Sequence, residues 1–122
     1  MSINQIKINA KTHGILDYAT VALFALAPSL LPLNELAVII SYSLAVIHLL
    51  MTILTDFSMG IIKVIPLKIH GYVEFVVGIA IPLLPFVLGF EGLDLYFYLI
   101  AGISIFIVAH ITEYKEDRQL NV

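Results

Sequence analysis

Histidine and carboxylate residues recur at helical spacing in an otherwise apolar chain. The sequence contains four histidines, at His13, His48, His70 and His110. Asp17 follows His13 by four residues, and Glu74 follows His70 in the same way. In a helix this spacing places the acid one turn from the imidazole on the same face, so the two side chains can act together.

Imidazole beside carboxylate is common in metal sites, because the ring binds the ion and the acid either binds it too or orients the ring. We therefore predict a single polar cluster of metal ligands, made of His13, Asp17, His48, His70, Glu74 and His110. The four histidines would equally serve as axial ligands of a haem. A ferritin-like di-iron site is not favoured, since it needs more inward-facing glutamates than the chain carries at these positions.

Two further interpretations of this cluster stay open. A row of histidines and acids inside membrane helices is typical of a proton or cation pathway. Alternatively, the cluster binds nothing and its hydrogen bonds only hold the helices together, with Gly14 and Gly71 permitting close approach. His48 is hardest to explain in that way, because it lies deep in an apolar segment.

The composition is that of an integral membrane protein. Of the 122 residues, 61% are hydrophobic and 12% are charged, and the mean hydropathy is +1.04. A soluble domain carries about 25% charged residues. We therefore expect the apolar surface of the protein to contact a lipid bilayer. The absence of cysteine excludes thiolate metal sites and disulfides.

No sequence motif points to a particular reaction. The chain has no phosphate-binding glycine loop, no nucleophile elbow and no basic patch large enough for nucleic acid. The sequence therefore predicts no catalytic residue and no nucleic-acid partner, and it leaves open whether the protein is an enzyme.

Four apolar segments are long enough to cross a hydrocarbon core of about 30 Å, which takes roughly 20 helical residues. They cover approximately residues 12–31, 35–57, 67–90 and 93–113. The links between them are short and contain proline or glycine. We predict an all-α membrane protein, a single domain over residues 1–122 with four transmembrane helices.

The second half of this chain repeats the first at a constant offset of 57 positions (70 minus 13). The matched pairs include His13 and His70, Gly14 and Gly71, Asp17 and Glu74, and Pro28 and Pro85. Each repeat, over about 12–57 and about 67–113, is a two-helix hairpin, so both enter the membrane from the same side. We expect two tandem parallel hairpins related by a pseudo-twofold axis along the membrane normal.

The charges predict the orientation of the bundle. The six basic residues all flank the repeats, at Lys7, Lys11, Lys63, Lys68, Lys115 and Arg118. The two opposite links carry only Glu35, Glu91 and Asp94. By the positive-inside rule both termini are cytoplasmic, and the histidines lie in the cytoplasmic half. A bundle of this size has little room for an internal pore. A homo-oligomer would be the simplest way to form one.

Several short motifs resemble the small bacterial membrane proteins of the SPW-repeat type. These motifs are His13-Gly14-Ile15-Leu16-Asp17-Tyr18, Ala27-Pro28, Leu54-Thr55-Asp56-Phe57, Ile65-Pro66-Leu67 and the second copy at His70-Gly71. That family is named for a Ser-Pro-Trp at the end of the first helix of each repeat. Here the corresponding positions are Ala27-Pro28-Ser29 and Leu84-Pro85-Phe86. The resemblance, which runs from Thr12 to about His110, implies a duplicated hairpin in the bacterial inner membrane and supplies no established activity.

Overall fold

The structure, a computed structural model, describes residues 6–115 and consists of four helices. They are α1 (Ala10–Leu30), α2 (Glu35–Ile53), α3 (Leu67–Leu88) and α4 (Gly92–Ile111). Each has 19 to 22 residues and is apolar enough to cross a membrane. The predicted all-helical fold with four candidate spans is confirmed, and the chain is a multi-pass membrane protein.

Side chains and loops fix where the helices begin and end. The side-chain oxygen of Asn9 accepts a hydrogen bond from the backbone N–H of Thr12, and that of Asn34 accepts one from the backbone N–H of Ala37. An asparagine therefore caps the start of each helix of the first hairpin. Helix α2 ends at Ile53, four residues earlier than predicted. The reason lies in the following loop, whose N–H groups bond to the last carbonyl groups of α2 and so replace another helical turn.

Helices α3 and α4 pack at van der Waals distance where two glycines face the partner helix. A Cβ atom on Gly78 would lie 2.7 Å from the Cα atom of Phe106, and one on Gly102 would lie 2.4 Å from the ring of Pro82. Small residues at such positions let membrane helices approach closely. This contact holds α3 and α4 together along their middle turns.

One end of the bundle gathers the starts of α1 and α3 and the ends of α2 and α4. The backbone N–H of Ile8 donates a hydrogen bond to the carbonyl of Ile111 at 3.0 Å. The backbone N–H of Asp56 donates one to the carbonyl of Ile65 at 2.8 Å. We call this the lysine end, because its described basic residues are Lys7, Lys11, Lys63, Lys68 and Lys115. Arg118, also predicted on this side, lies outside the described residues.

The opposite end, which we call the acidic end, is joined by side-chain bonds. Asp94, in the first turn of α4, accepts from the backbone N–H and the side-chain amide of Asn34, both at 2.9 Å. The hydroxyl of Tyr98 donates to the carbonyl of Ala37, which ties α4 to α2. The main apolar core, with Phe24 and Phe97 at its centre, lies toward this end.

A second and smaller apolar cluster, formed by Ala10, Phe57 and Leu67, lies at the lysine end. Along α1, Asp17 comes between Ala10 of this small cluster and Phe24 of the main core. The part of the interior that contains Asp17 therefore lies between two apolar layers.

Candidate metal centre

Three of the four histidines meet two carboxylates inside the bundle. The Nε2 atom of His13 lies 3.2 Å from Asp17 and also contacts Glu74. His70 Nε2 lies 3.1 Å from Asp17 and 3.5 Å from Glu74. His48 Nε2 lies 3.4 Å from Asp17 and 3.0 Å from Glu74. We call these five residues the histidine–acid cluster.

The cluster is withdrawn from the surface. His13 and His70 are each 1% exposed, Asp17 is 2% exposed and Glu74 is 4% exposed, while the side chain of His48 is 11% exposed. Each carboxylate lies seven residues beyond the first residue of its helix, which is about 10 Å of helix. Burying two carboxylates at this depth is costly unless positive charge compensates them.

Two threonines orient the imidazoles of His13 and His70. The Nδ1 atom of His13 lies 2.7 Å from the hydroxyl of Thr112, and that of His70 lies 2.6 Å from the hydroxyl of Thr55. Both hydroxyls also lie 2.6 Å from a carbonyl in the last turn of the preceding helix, and they donate their only hydrogen there. Each threonine oxygen therefore accepts from Nδ1–H. In the neutral ring the lone pair is then on Nε2, which faces the carboxylates.

Only some of the short distances within the cluster have hydrogen-bond geometry, as His48 Nε2 and Asp17 Oδ1 do at 3.4 Å. His13 Nε2, His70 Nε2 and Asp17 Oδ2 are buried without a hydrogen-bond partner among the described residues, although each has an oppositely charged neighbour within about 3.5 Å. These atoms face one another across the interior of the cluster, and the closest contact is between His13 Nε2 and Glu74. One ligand atom from each of His13, Asp17, His70 and Glu74 can be chosen so that all four lie within 4.8 Å of one another.

Aromatic rings close the lysine end of the cluster. The ring of Tyr114 packs against His13 at 5.5 Å between centroids, and that of Phe57 packs against His70 at 6.0 Å. The two glycines that follow these histidines leave room for the rings, since a Cβ atom on Gly14 would lie 2.6 Å from Phe57. On Gly71 it would lie 2.7 Å from Tyr114.

Tyr114 itself is neutral in this position. Burial raises the pKa of its hydroxyl well above the ordinary value, and the negative charge of Glu74 acts in the same direction. The protonated hydroxyl donates to the carbonyl of Ala109 at 3.1 Å. The ring is therefore fixed over His13 as an uncharged cover.

His110, predicted as a fourth imidazole of the cluster, lies outside it. Its side chain is exposed and stacks on Phe106, at 6.3 Å between centroids. The residue before it, Ala109, is buried, and one residue turns a helix by about 100°, so His110 points outward. His48 points inward because the buried residues Ala45 and Thr52 lie three before and four after it.

Sequence reasoning missed the two threonines, although a signal for them existed. Thr55 and Thr112 are separated by the same 57 positions (112 minus 55) that separate His13 from His70. Their contacts are crossed, because the histidine of each half bonds to the threonine of the other half. Extending the repeat to polar residues beyond the histidine motif would have identified both.

No protein-family model, no curated protein and no solved structure matches this chain. The resemblance to the SPW-repeat proteins therefore stays a prediction.

Proposed function

We propose that this protein binds one divalent transition-metal ion inside the membrane, at the histidine–acid cluster. The observation that carries the proposal is the convergence of three Nε2 atoms and two buried carboxylates on one space, with Nδ1 of His13 and His70 each held by a threonine. His13, Asp17, His70 and Glu74 would supply the primary ligands, and His48 a further one.

Charge supports a metal in this place. Two buried carboxylates carry a charge of −2, and a divalent ion with neutral imidazoles makes the cluster neutral. The Nδ1–H groups donate to Thr55 and Thr112, which is the arrangement that orients metal-binding histidines through a bond on the far side of the ring. A lone pair on Nε2 facing a carboxylate oxygen is repulsive without a cation or a proton between them.

The donor atoms narrow the choice of ion. Imidazole nitrogen combined with carboxylate oxygen suits first-row ions such as Zn²⁺, Fe²⁺ and Mn²⁺. Ligands about 2.1 Å from a tetrahedral zinc lie about 3.4 Å apart. Five of the six separations between a histidine Nε2 atom and a carboxylate oxygen are 3.0 to 3.5 Å, which is close to that spacing. His13 Nε2 and Glu74 lie closer together than this and would have to separate around an ion.

A haem is not favoured by the same geometry. The rings of His13 and His70 are 5.5 Å apart between centroids and meet edge to face. The carboxylates of Asp17 and Glu74 occupy the space at their Nε2 atoms, where a porphyrin would have to lie. We therefore propose a metal ion without a macrocycle.

The arrangement in the membrane follows from the charges and the repeat. We propose two parallel hairpin repeats, with the lysine end and both termini in the cytoplasm of a bacterial cell. The crossed contacts, His13 with Thr112 and His70 with Thr55, support a pseudo-twofold relation between the repeats. Kinship with the SPW-repeat proteins and assembly into a homo-oligomer belong to the same proposal.

Metal analysis of the purified protein tests the function. The protein is extracted from its native membrane in mild detergent without chelator, and its metal content is measured by mass spectrometry. We expect about one first-row ion per chain, and loss of that ion in a D17N/E74Q variant. The matched control is E91Q/D94N, which alters two carboxylates at the acidic end in the same way.

Wild-type protein without a stoichiometric metal, after reconstitution with each candidate ion, would overturn the proposal. An equal metal content in D17N/E74Q and in the control would overturn it as well. In either case the cluster is a packing device in which imidazolium groups neutralise the acids. Proton flux into liposomes that D17N/E74Q abolishes, without any bound metal, would establish the ion-pathway alternative.

A further inference from the structure

A long groove on the outer face of the bundle runs from the histidine–acid cluster toward the acidic end. It lies between α1 and α4 and has a cavity volume of about 440 Å³. One wall runs from Leu16 on α1 to Leu31, the residue that follows α1, and the other runs from Leu93 to Val108 on α4. Both stretches cover fifteen residue steps, or about 22 Å of helix.

The walls of the groove are apolar and face the surroundings of the helices. Leu23 is 45% exposed and Ile100 is 66% exposed, and both lie on helices that are apolar enough to span a membrane. Thr20 and Ser104 also line the groove, but their hydroxyls donate to carbonyl groups of their own helices at 2.8 and 2.7 Å. Such a wall offers little to a polar molecule and suits a hydrocarbon.

The floor of the groove at the lysine end is polar. Asp17, His48 and Glu74 line this end, whereas His13 and His70 do not. Asp17 is 2% exposed, and its Oδ2 atom is buried without a hydrogen-bond partner among the described residues. A ligand in the groove would therefore meet the cluster through His48 and the two carboxylates.

We propose that the groove binds a single-chain lipid whose oxygen-containing end group reaches the metal centre. The polar end of this inference rests on the proposed function, whereas the apolar part stands on the groove alone. An extended chain advances about 3.6 Å for every three bonds. A groove of about 22 Å therefore accommodates about 18 bonds, the length of a common fatty acid or fatty alcohol.

The depth of the cluster favours a small end group over a phospholipid. The carboxylates lie about 10 Å inside the first residue of their helices. A phosphate-containing headgroup bound there would have to leave the interfacial region for an apolar interior, at high cost. A hydroxyl or a protonated carboxyl group, in contrast, carries no charge, so its transfer into the interior costs less, and its oxygen can still bind to a metal ion.

Photolabelling in nanodiscs tests the apolar part. The probe is palmitic acid with a diazirine at its chain end, and labelled residues are located by mass spectrometry. We expect labels on groove residues near the acidic end, such as Leu31, Leu93 and Tyr96, because the chain end lies there when the polar end reaches the cluster. Ala19→Phe fills the groove and is expected to lower this labelling at least fivefold, whereas the matched control Ala25→Phe lies on the exposed face of the same helix and is expected to leave it unchanged.

Three results would overturn the chain-binding proposal. In the first, the probe labels the Ala19→Phe and Ala25→Phe variants equally. In the second, a phosphatidylcholine with the same diazirine chain labels the groove as strongly as palmitic acid does. The third result concerns a second copy of the protein. Because the chain has no cysteine, Ala19→Cys carries a unique thiol, and disulfide-linked dimers forming at low protein concentration would show that another copy covers the groove.

The polar end is tested with a probe that lacks the end group. We expect palmitic acid to label the groove at concentrations at least tenfold lower than the corresponding diazirine alkane, and this preference to disappear in D17N/E74Q. An equal response to both probes in metal-loaded wild-type protein would overturn the end-group contact and leave metal binding intact. Loss of metal from the wild type with continued labelling would overturn the proposed function and leave the apolar groove intact.

Discussion

The imidazole of His13 donates from Nδ1 to the hydroxyl of Thr112, at 2.7 Å and across 99 positions of the chain. This one bond joins the first helix to the end of the last and leaves Nε2 as the nitrogen that faces the carboxylates. His70 and Thr55 form the corresponding bond between α3 and the segment that follows α2. The two bonds decide which nitrogen of each ring is available to a metal.

Removing the threonine hydroxyls weakens metal binding without removing a ligand. We expect T55V/T112V to bind the ion roughly 10- to 100-fold more weakly, the usual effect of losing the groups that orient metal-binding histidines. Titration with a chelator of known affinity measures this change. Thr20→Val is the control, because its hydroxyl also donates to its own helix but touches no histidine. Equal affinities in the two variants would contradict the orienting role.

We expect metal binding to release protons from the cluster. Without a metal, two buried carboxylates require two imidazolium groups for neutrality, and a divalent ion replaces those protons. We expect about two protons to be released per ion near neutral pH, so affinity rises with pH. Calorimetry in buffers of different ionisation enthalpy counts the protons. A pH-independent affinity would be inconsistent with this exchange.

We expect the histidines of α2 and α4 to differ in their effect on metal binding. We expect His48→Leu to lower metal affinity or to change the spectrum of a bound Co²⁺ ion, because its Nε2 lies 3.0 Å from Glu74. His110→Leu leaves both unchanged, since that ring is exposed beside Phe106. The two variants make the same replacement, so each serves as the control for the other. A spectral change in His110→Leu would place that residue at the metal.

Gly14 has no room for a side chain. In an ordinary helix Gly→Ala increases stability by up to about 1 kcal/mol. Here the added Cβ atom would lie 2.6 Å from the buried ring of Phe57, and we expect a loss of about 1 to 3 kcal/mol. Chemical denaturation in detergent, followed by circular dichroism, gives the sign. A gain in stability would show that Phe57 moves freely away from α1.

The bond between Asn34 and Asp94 stabilises the acidic end. We expect Asp94→Ala to lower stability by about 1 to 2 kcal/mol, since both hydrogen bonds to Asn34 are lost. Glu91→Ala is the control at the same end, because it removes a carboxylate that caps nothing at the start of α4. The same denaturation measurement compares the two. An equal loss of stability in both variants would mean that the total charge at the acidic end, and not the bond to Asn34, determines the stability.

Much of the fold could be predicted from local properties of the chain. Length and hydropathy define the four helices, because each must cross a fixed hydrocarbon thickness and satisfy its own backbone. The four-residue spacing places Asp17 beside His13 and Glu74 beside His70, since a helix brings such pairs to one face. The predicted end of α2 was wrong because loop N–H groups, unseen in a hydropathy pattern, bond to its last carbonyls.

The membership of the cluster was decided only by the tertiary structure. His48 and His110 look alike in sequence, but one points inward and the other outward, because helix rotation is set by packing against the partner helices. The bonds to Thr55 and Thr112 and the groove between α1 and α4 arise from contacts across the whole chain. The sequence by itself thus determines four apolar helices and two histidine–acid pairs, and three-dimensional packing decides which side chains they meet.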